Sequence, residues 1–519
     1  MLHYQFKSGM LLHKYFNMCI SIKMPCQRYF LFMKNTKNIR MINTSCFNNS
    51  SKDASSSANF SKNYLYELPQ YAPLLNNSID SLNYLDTIAE HLKRRKSKTE
   101  LSNIRKFWTQ LSSCHETEKE SVRAALLQEL LRLPNTSCPH AQQLSEPKVM
   151  REFGEKRVIA NPLVLEQLSH HGVDMKDTGN FTGMRSYYLR GSMARLEHKL
   201  IRYAVKELLK SGFRLMSVPD LVTEDILLSC GVPIEGERTM VYTLDNASTG
   251  GGDEKVCLSG TAEIAIGGWL RGRHFSLDQL PLKLCAVSRC YRAEADANKH
   301  EHGIYRVHNF TKVEMFGVTA AETGQESNEL YEELVSVQER LLQGLGLHGK
   351  VILMPPEELG NPAYSKTDVE VWLPGRGHYA ELTSASNCTN YQSARLGITY
   401  TDRAGRKKLV HTVNGTAVAV PRCIIALCET HQEEGGRRAL QLPKILGISS
   451  LKPDLKHSGH QHDSQANNQY TDGQQSLHAS ETGPEQPQHH PSLDKVMVYK
   501  EQCIRKSIRD RAYLCHIDD

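Results

Sequence analysis

The chain has 519 residues, 39% of them hydrophobic, which is enough for one large folded domain with appendages. A formal charge of +6 permits contact with nucleic acid without requiring it, and fourteen cysteines with no C-x-x-C pair point to neither a zinc ribbon nor a secreted disulfide scaffold. No run approaches the ~18 apolar residues that cross a bilayer, so membrane insertion is not expected.

The first 59 residues stand apart. Lys7, Lys14, Lys23, Arg28, Lys34, Lys37, Arg40 and Lys52 precede the first acid, Asp53, and hydrophobic patches such as "RYFLFM" punctuate the basic stretch. This composition predicts a mitochondrial presequence and Ser-rich linker over 1–59, with a disordered tail as the alternative. Over 60–135, "IDSLNYLDTIAEHLKRRKS", "TELSNIRKFWTQLSS" and "HETEKESVRAALLQELLRLPN" carry apolar residues at helical spacing. Thr99 is read as a helix start, Thr117 with Glu120 as a capping box, and Pro134 as the stop. Residues 136–185 read as a connecting segment.

A stronger pattern follows over 186–446. Leu196, Leu200, Ala204 and Leu208 mark a helix, Gly212 ends it, and "FRLMSVP" is a short strand closing on Pro219. "GTAEIAI", Gly260–Ile266, puts Thr261 and Glu263 at a helix start. "KLCAVSRCYRAE" and "IYRVHNFTKVEMF" read as two strands of a hairpin. Alternation sets Ser288, Cys290, Arg292 and Glu294 on one face of the first. From Ile304 onward it sets Arg306, His308, Phe310, Lys312, Glu314 and Phe316 on one face of the second, and Tyr305, Val307, Asn309, Thr311, Val313 and Met315 on the other. An exposed row of cross-strand salt bridges would give a similar pattern. Phe310, however, gains nothing from solvation, and an aromatic among arginines and carboxylates suits a flat polyanion such as ATP. "GHYAELTSASNCTNYQSARLGI", Gly377–Ile398, reads as strand and turn, and "HTVNGTAVAVPRCIIALCE", His411–Glu429, as a strand entering a helix. The tail 447–519, rich in His, Gln and Ser, reads as mostly disordered, with a short helix in "DKVMVYKEQCIRKSIRDRAYL".

This ordered set resembles the class II aminoacyl-tRNA synthetases in their seryl form, and within it the animal mitochondrial branch. The hairpin is similar to motif 2, the helix and strand ending at Pro219 to motif 1, and the last stretch to motif 3, where Ala417 and Pro421 stand in places that many class II enzymes give to glycine. Leu133-Pro134-Asn135 fits the end of the family's two-helix tRNA-binding arm. A helix from His115 to Leu133 reaches only about 28 Å at roughly 1.5 Å per residue, so the arm is shortened, either vestigial or lacking part of its length in this sequence.

The resemblance implies an α+β fold: a class II catalytic domain, an antiparallel sheet flanked by helices, with a short helical arm and disordered termini, assembled as a homodimer through motif 1. It implies formation of seryl-adenylate from ATP and L-serine with Mg²⁺, and transfer to tRNA(Ser), and to tRNA(Sec) by the same likeness, in the mitochondrial matrix. Arg292 and Arg422 are the expected catalytic cations, on the α-phosphate with the serine carboxylate and on the γ-phosphate. Ala293, Glu294, Val307, His308, Phe310, Glu381, Leu382, Thr383 and Ser384 complete the ATP site, with Phe310 stacked on adenine and Glu381 on the metal. Thr261, Ala262, Glu263, Glu314 and Thr416 form the serine site. Two other readings stand beside this one: a synthetase-like binding partner without aminoacylation activity, and an enzyme that passes seryl-adenylate to an acceptor other than tRNA.

Overall fold

The computed structural model describes residues 19–24, 27–33, 39–43, 81–175, 185–234, 240–245, 255–294, 302–434, 440–448 and 450–451. The expected tail over 447–519, with its terminal helix, therefore lies almost wholly outside the described residues. So does the expected presequence over 1–59, except for three strands, Cys19–Met24, Gln27–Met33 and Ile39–Asn43, which pair antiparallel in that order.

An eight-stranded sheet organises the catalytic region. Its strands are β1 (Lys148–Phe153), β2 (Arg214–Met216), β3 (Leu282–Tyr291), β4 (Asn309–Thr319), β5 (Gly349–Leu353), β6 (Ser365–Leu373), β7 (His378–Thr389) and β8 (His411–Ala419). They lie side by side in the order β1-β5-β6-β7-β8-β4-β3-β2. All pairs are antiparallel except β2 against β3, so the expected antiparallel sheet carries one parallel edge.

The helices are α1 (Ser81–Arg94), α2 (Ser102–Ser113), α3 (Glu116–Leu131), α4 (Gly191–Lys210), α5 (Ala262–Leu270), α6 (Glu326–Gly344), α7 (Tyr391–Leu396) and α8 (Val420–Thr430). Alternation along the β3–β4 hairpin decides where they pack. The odd-numbered Cys285, Val313 and Met315 join Leu196, Leu200, Ala204 and Leu208 of α4, and residues of α6 and α8, in one core cluster. The even-numbered Leu282, Leu284, Ala286, Phe316 and Val318 join α5 and Leu396 of α7 in a second. Burying each Leu or Phe contributes about 2 kcal/mol. Toward the other end of the hairpin the even face turns to Ser288, Phe310, Lys312 and Glu314, and there the apolar cover stops. Motif 1 forms as read: α4 ends, Gly212 takes φ +82°, and β2 follows.

The N-terminal helices are short. α2 has 12 residues and α3 has 16, about 18 and 24 Å at roughly 1.5 Å per residue, the latter below the length read from the sequence. The capping assignments do not hold. Thr117 lies inside the first turn of α3, which starts after His115 without a side-chain cap, and α2 starts after Leu101, beyond Thr99.

What holds this region to the sheet is polar. Asn135, 1% exposed, donates its side-chain amide to the carbonyls of Pro362 and Cys388 at 2.9 Å each and to Thr389 Oγ1 at 3.1 Å. Thr389 is a non-glycine residue at φ +45°, a conformation that needs outside support. Arg95, 6% exposed, has no carboxylate partner among the described residues. Its guanidinium donates instead to the carbonyls of Asn135, Leu359, Gly360 and Ala363 and to Ser137 Oγ. Burial pulls its pKa down to about 10. Removing the amide leaves buried carbonyls dry, so Asn135→Ala should lower the unfolding free energy by about 2 kcal/mol, read from the urea midpoint.

Candidate active site

A cleft with a cavity volume of about 220 Å³ opens where the helix cover of the hairpin ends. Arg292 and Arg422 both line it, one from the end of β3 and the other from the first turn of α8. With them the cleft gathers Thr261, Glu263, Glu294, Val307, Phe310, Glu314, Glu381, Leu382, Thr383, Ser384 and Thr416 from five separate stretches of chain.

Each piece has a local cause. Thr261 caps α5, its Oγ1 accepting the Glu263 N–H, which leaves Glu263 in the first turn at the cleft wall. The strand register sets Lys312 opposite Ser288 and Phe310 opposite Cys290. A bulge between Val313 and Glu314 brings Glu314 opposite Thr416 rather than Ala417, with Thr416 Oγ1 3.4 Å from Glu314 Oε2. Beneath this bulge the fully buried Gln338 of α6 donates to the carbonyls of both Ser384 and Thr416, at 2.7 and 2.8 Å. A Cβ on Gly415 would lie 3.1 Å from the Ser384 carbonyl and 3.2 Å from that amide, so this crossing favours glycine. In motif 3, Pro421 sits in the first turn of α8, where no N–H partner is lost, and both it and Ala419 face the cleft.

Three expected site residues stand behind the lining. Ala262 is buried as the first residue of α5. The Ala293 N–H donates to the Met240 carbonyl. His308 bonds through Nδ1 to the Tyr242 hydroxyl at 2.8 Å and lies 3.1 Å from the Arg292 carbonyl, so it braces the hairpin. Conversely, alternation had put Tyr305 and Val307 on the face opposite the charged row. The strand begins only at Asn309, and a 3-10 turn over Gly303–Tyr305 rotates Ile304, Tyr305, Arg306 and Val307 together into the cleft. Lys312, Ser386 and Asn414 are further lining residues. Lys312 is visible in the charged row, whereas Ser386 and Asn414 are uncharged polar residues in strands that the sequence does not single out.

The charges are tightly partnered. Lys312 Nζ lies 2.6 Å from Glu314 Oε2 and 2.9 Å from Thr261 Oγ1, with both side chains almost fully buried. Arg306 holds Glu294 at 2.6 Å, and the Arg292 guanidinium lies 5.3 Å from the centre of the Phe310 ring. Glu263 Oε1 accepts from Gln392 at 2.6 Å and from Asn414 at 2.9 Å. Burial, with the nearby Glu314 charge, still pushes its pKa up to about 7. Burial works the same way on Glu381, but Arg422, Lys366 and Arg292 outweigh it and hold this carboxyl below its ordinary range. Arg422 anchors to the Glu381 carbonyl at 2.8 Å and to its carboxylate at 3.4 Å. Across from it, burial and Glu381 raise Asp368, which pairs with Lys366 at 2.7 Å.

An ionised Glu381 with the Ser384 hydroxyl in the same cleft offers hard oxygen ligands. Among the described residues no group of three or more His, Cys, Asp or Glu side chains could hold a metal ion. That donor set fits Mg²⁺, which keeps waters and takes substrate phosphates as ligands.

Residues 243–431 match the tRNA synthetase class II core domain for Gly, His, Pro, Ser and Thr. The chain is 40% identical over 359 residues to the mitochondrial serine–tRNA ligase of Mus musculus, covering 68% of this chain and 66% of that protein. It is 36% identical over 358 residues to the mitochondrial serine–tRNA ligase of Saccharomyces cerevisiae, covering 66% of this chain and 77% of that one. The chain thus spans slightly less than two thirds of the mouse relative, and 59% of the Bos taurus one. The crystal structure of seryl-tRNA synthetase from Pyrococcus horikoshii complexed with ATP superposes with a TM-score of 0.60 at 28% identity, covering 77% of this chain and 93% of that one.

The buried Lys312–Glu314 pair gives a direct check of the cleft. Lys312→Ala leaves an uncompensated carboxylate and should cost about 3–5 kcal/mol of stability, whereas Lys312→Met with Glu314→Leu should recover most of it, both read by urea unfolding.

Proposed function

The chain belongs to the serine–tRNA ligase family of class II synthetases, and on that premise we propose that it activates L-serine with ATP and transfers the seryl group to the 3′ end of tRNA(Ser). The observation that carries this reading is the convergence of Arg292, Arg422, Glu381 and Glu314 on one cleft. A partner protein without catalysis has no use for that complete set, so the enzymatic reading is preferred.

In the first step a serine carboxylate oxygen attacks the α-phosphorus of ATP, and the bond to diphosphate breaks with its electrons leaving on diphosphate. Negative charge spreads over phosphoryl oxygens, so fixed cations supply most of the catalysis and no covalent nucleophile is needed. Arg292 holds the α-phosphate and the serine carboxylate, and Arg422 the γ-phosphate. Phe310 stacks on adenine, Glu294 meets its edge, and Val307, Leu382 and Thr383 line the pocket, with Ala293 and His308 bracing the hairpin behind. Glu381 and Ser384 would hold Mg²⁺, which when bound neutralises charge on the phosphates. In the second step a terminal ribose hydroxyl of the tRNA attacks the seryl carbonyl and AMP departs.

Glu314 and Thr416 accept and orient the serine hydroxyl. Lys312 already contacts Glu314 and Thr261, so Glu263, in the first turn after Thr261 and Ala262, is the carboxylate for the serine ammonium. A site built to hydrogen-bond a hydroxyl rejects alanine strongly, and threonine's methyl must be refused by shape.

The mitochondrial names of the mouse and yeast relatives and the acid-free residues 1–52 support a matrix location. Half-exposed Leu209 and Leu215, in α4 and β2, suit a homodimer through motif 1. The shortened arm over 60–135 is proposed to contact tRNA, with the catalytic domain over 186–446.

Pyrophosphate exchange into ATP should require serine and fall at least about a hundredfold in Arg292→Ala. Exchange that alanine supports equally well would sink the assignment. A second expectation concerns pH. With Glu263 titrating at about 7, acid neutralises the partner of the serine ammonium, so the serine KM should climb as pH falls from 8 to 6 while the ATP KM holds steady. In Glu263→Gln that pH dependence should vanish.

A further inference from the structure

One buried cation lies directly behind the cleft, in the turn between β6 and β7. The Arg376 side chain is 1% exposed. Its Nη2 donates to Glu166 Oε1 at 2.9 Å, and its Nε lies 3.2 Å from Glu429 Oε1. Its backbone N–H donates to Glu429 Oε2 at 3.1 Å, and Nη1 is 3.3 Å from the His302 ring nitrogens. Glu166 lies in the connecting segment before the catalytic domain. Glu429 is fully buried in α8, two helical turns beyond Arg422.

The first of these carboxylates reaches the cleft through one short turn. A Cβ on Gly303 would lie 1.5 Å from Glu166 Oε1, and φ there is +70°, so only glycine lets the carboxylate press on this backbone. Two residues on, the Tyr305 carbonyl accepts from Arg422 Nε at 3.4 Å, and the Arg422 guanidinium carbon is 4.4 Å from the centre of the Tyr305 ring. The Arg376 guanidinium carbon is 6.0 Å from the same ring. Tyr305 is therefore shared between a guanidinium in the cleft and one buried behind it.

We propose that Arg376 is a positioning residue for nucleotide binding: bridging Glu166 and Glu429, it locks the Gly303–Tyr305 turn against Arg422 and so fixes the guanidinium that meets the ATP phosphates. The inference rests on the ATP site assigned above and adds to it a support built from residues that touch no substrate. Arg422 has two anchoring residues, Glu381, through both its carbonyl and its carboxylate, and Tyr305. The first is held by the sheet, whereas the second stands on a turn that Arg376 and Glu166 secure. Releasing that turn widens the range of guanidinium orientations and weakens binding of the phosphates without disturbing the serine pocket on the other side of Glu314.

Calorimetric titration of the full chain with ATP, and separately with L-serine, tests this. Arg376→Gln should weaken ATP about tenfold, the effect of losing one charge-assisted anchor, and leave serine binding unchanged. Arg376→Lys should recover most of the ATP affinity, since a cation still stands between the two carboxylates. Glu166→Gln, which leaves the Arg376–Glu429 contact in place, should weaken ATP in the same direction and decides the matter if Arg376→Gln fails to fold. Unaltered ATP affinity in either folded variant, or equal loss for ATP and serine, overturns the proposal. Should wild-type protein bind ATP with this pattern but fail to exchange pyrophosphate with serine, the functional assignment falls and the positioning role stands.

Discussion

The structure turns on a change of chemistry halfway along one hairpin. The even-numbered side chains of β3 and β4 are Leu, Ala, Phe and Val at one end and Ser, Lys, Glu and Phe310 at the other. α5 covers the apolar half with aliphatic side chains, whereas the buried Lys312 and Glu314 need each other and the Thr261 hydroxyl as partners. The cleft is the unavoidable gap, and the charges that create it are satisfied by one another. Lys312 binds Glu314, Arg306 binds Glu294, and Arg422 binds Glu381. Everything else in the catalytic region brings further groups to that opening: the cap at Thr261, the bulge opposite Glu314, and the first turn of α8.

Much of this was legible in the sequence, for a definite reason. Period-two alternation survives wherever the strand is regular, so the face shared by Phe310, Lys312, Glu314 and Phe316 could be read directly. It fails where the backbone leaves the strand. The 3-10 turn at Gly303–Tyr305 breaks the alternation and hides Tyr305 and Val307 from it. The helix starts failed differently. Thr117 has the right residue type and spacing, but α3, packed on α2 around Ile104, Leu111, Leu126 and Leu130, starts two residues earlier. Other contributors gave no local signal at all. Gln338 sits among the mostly apolar buried residues of its helix, and its role appears only once two distant strands are brought above it. Asn414 and Gln392 matter because both aim at Glu263, which lies more than a hundred residues away. Spacing in one dimension cannot reveal such convergence.

The ionisable groups show why a crowded site needs amides as well as charges. The Glu314 charge adds to the cost of ionising Glu263, and Lys312 pairs with Glu314 at 2.6 Å. Gln392 and Asn414 donate to Glu263 without adding a charge that an incoming ammonium would have to meet. Glu381 is the opposite case. Three cations surround it, which keeps it ionised and ready for a metal ion or a phosphate-bound counterion.

The Arg95 guanidinium is ringed by carbonyls from Asn135, just past α3, and from the 359–363 loop, and Asn135 joins the same loop to the end of β7. Cys388, whose carbonyl Asn135 grips, also receives the Asn414 amide on its sulfur at 3.4 Å. The helices are therefore not a detachable handle that evolution or an engineer could exchange at will. A graft at this junction inherits the obligation to solvate a dry cation and to hold a left-handed threonine, and a careless one would be felt four bonds of contact away, at the floor of the amino-acid pocket.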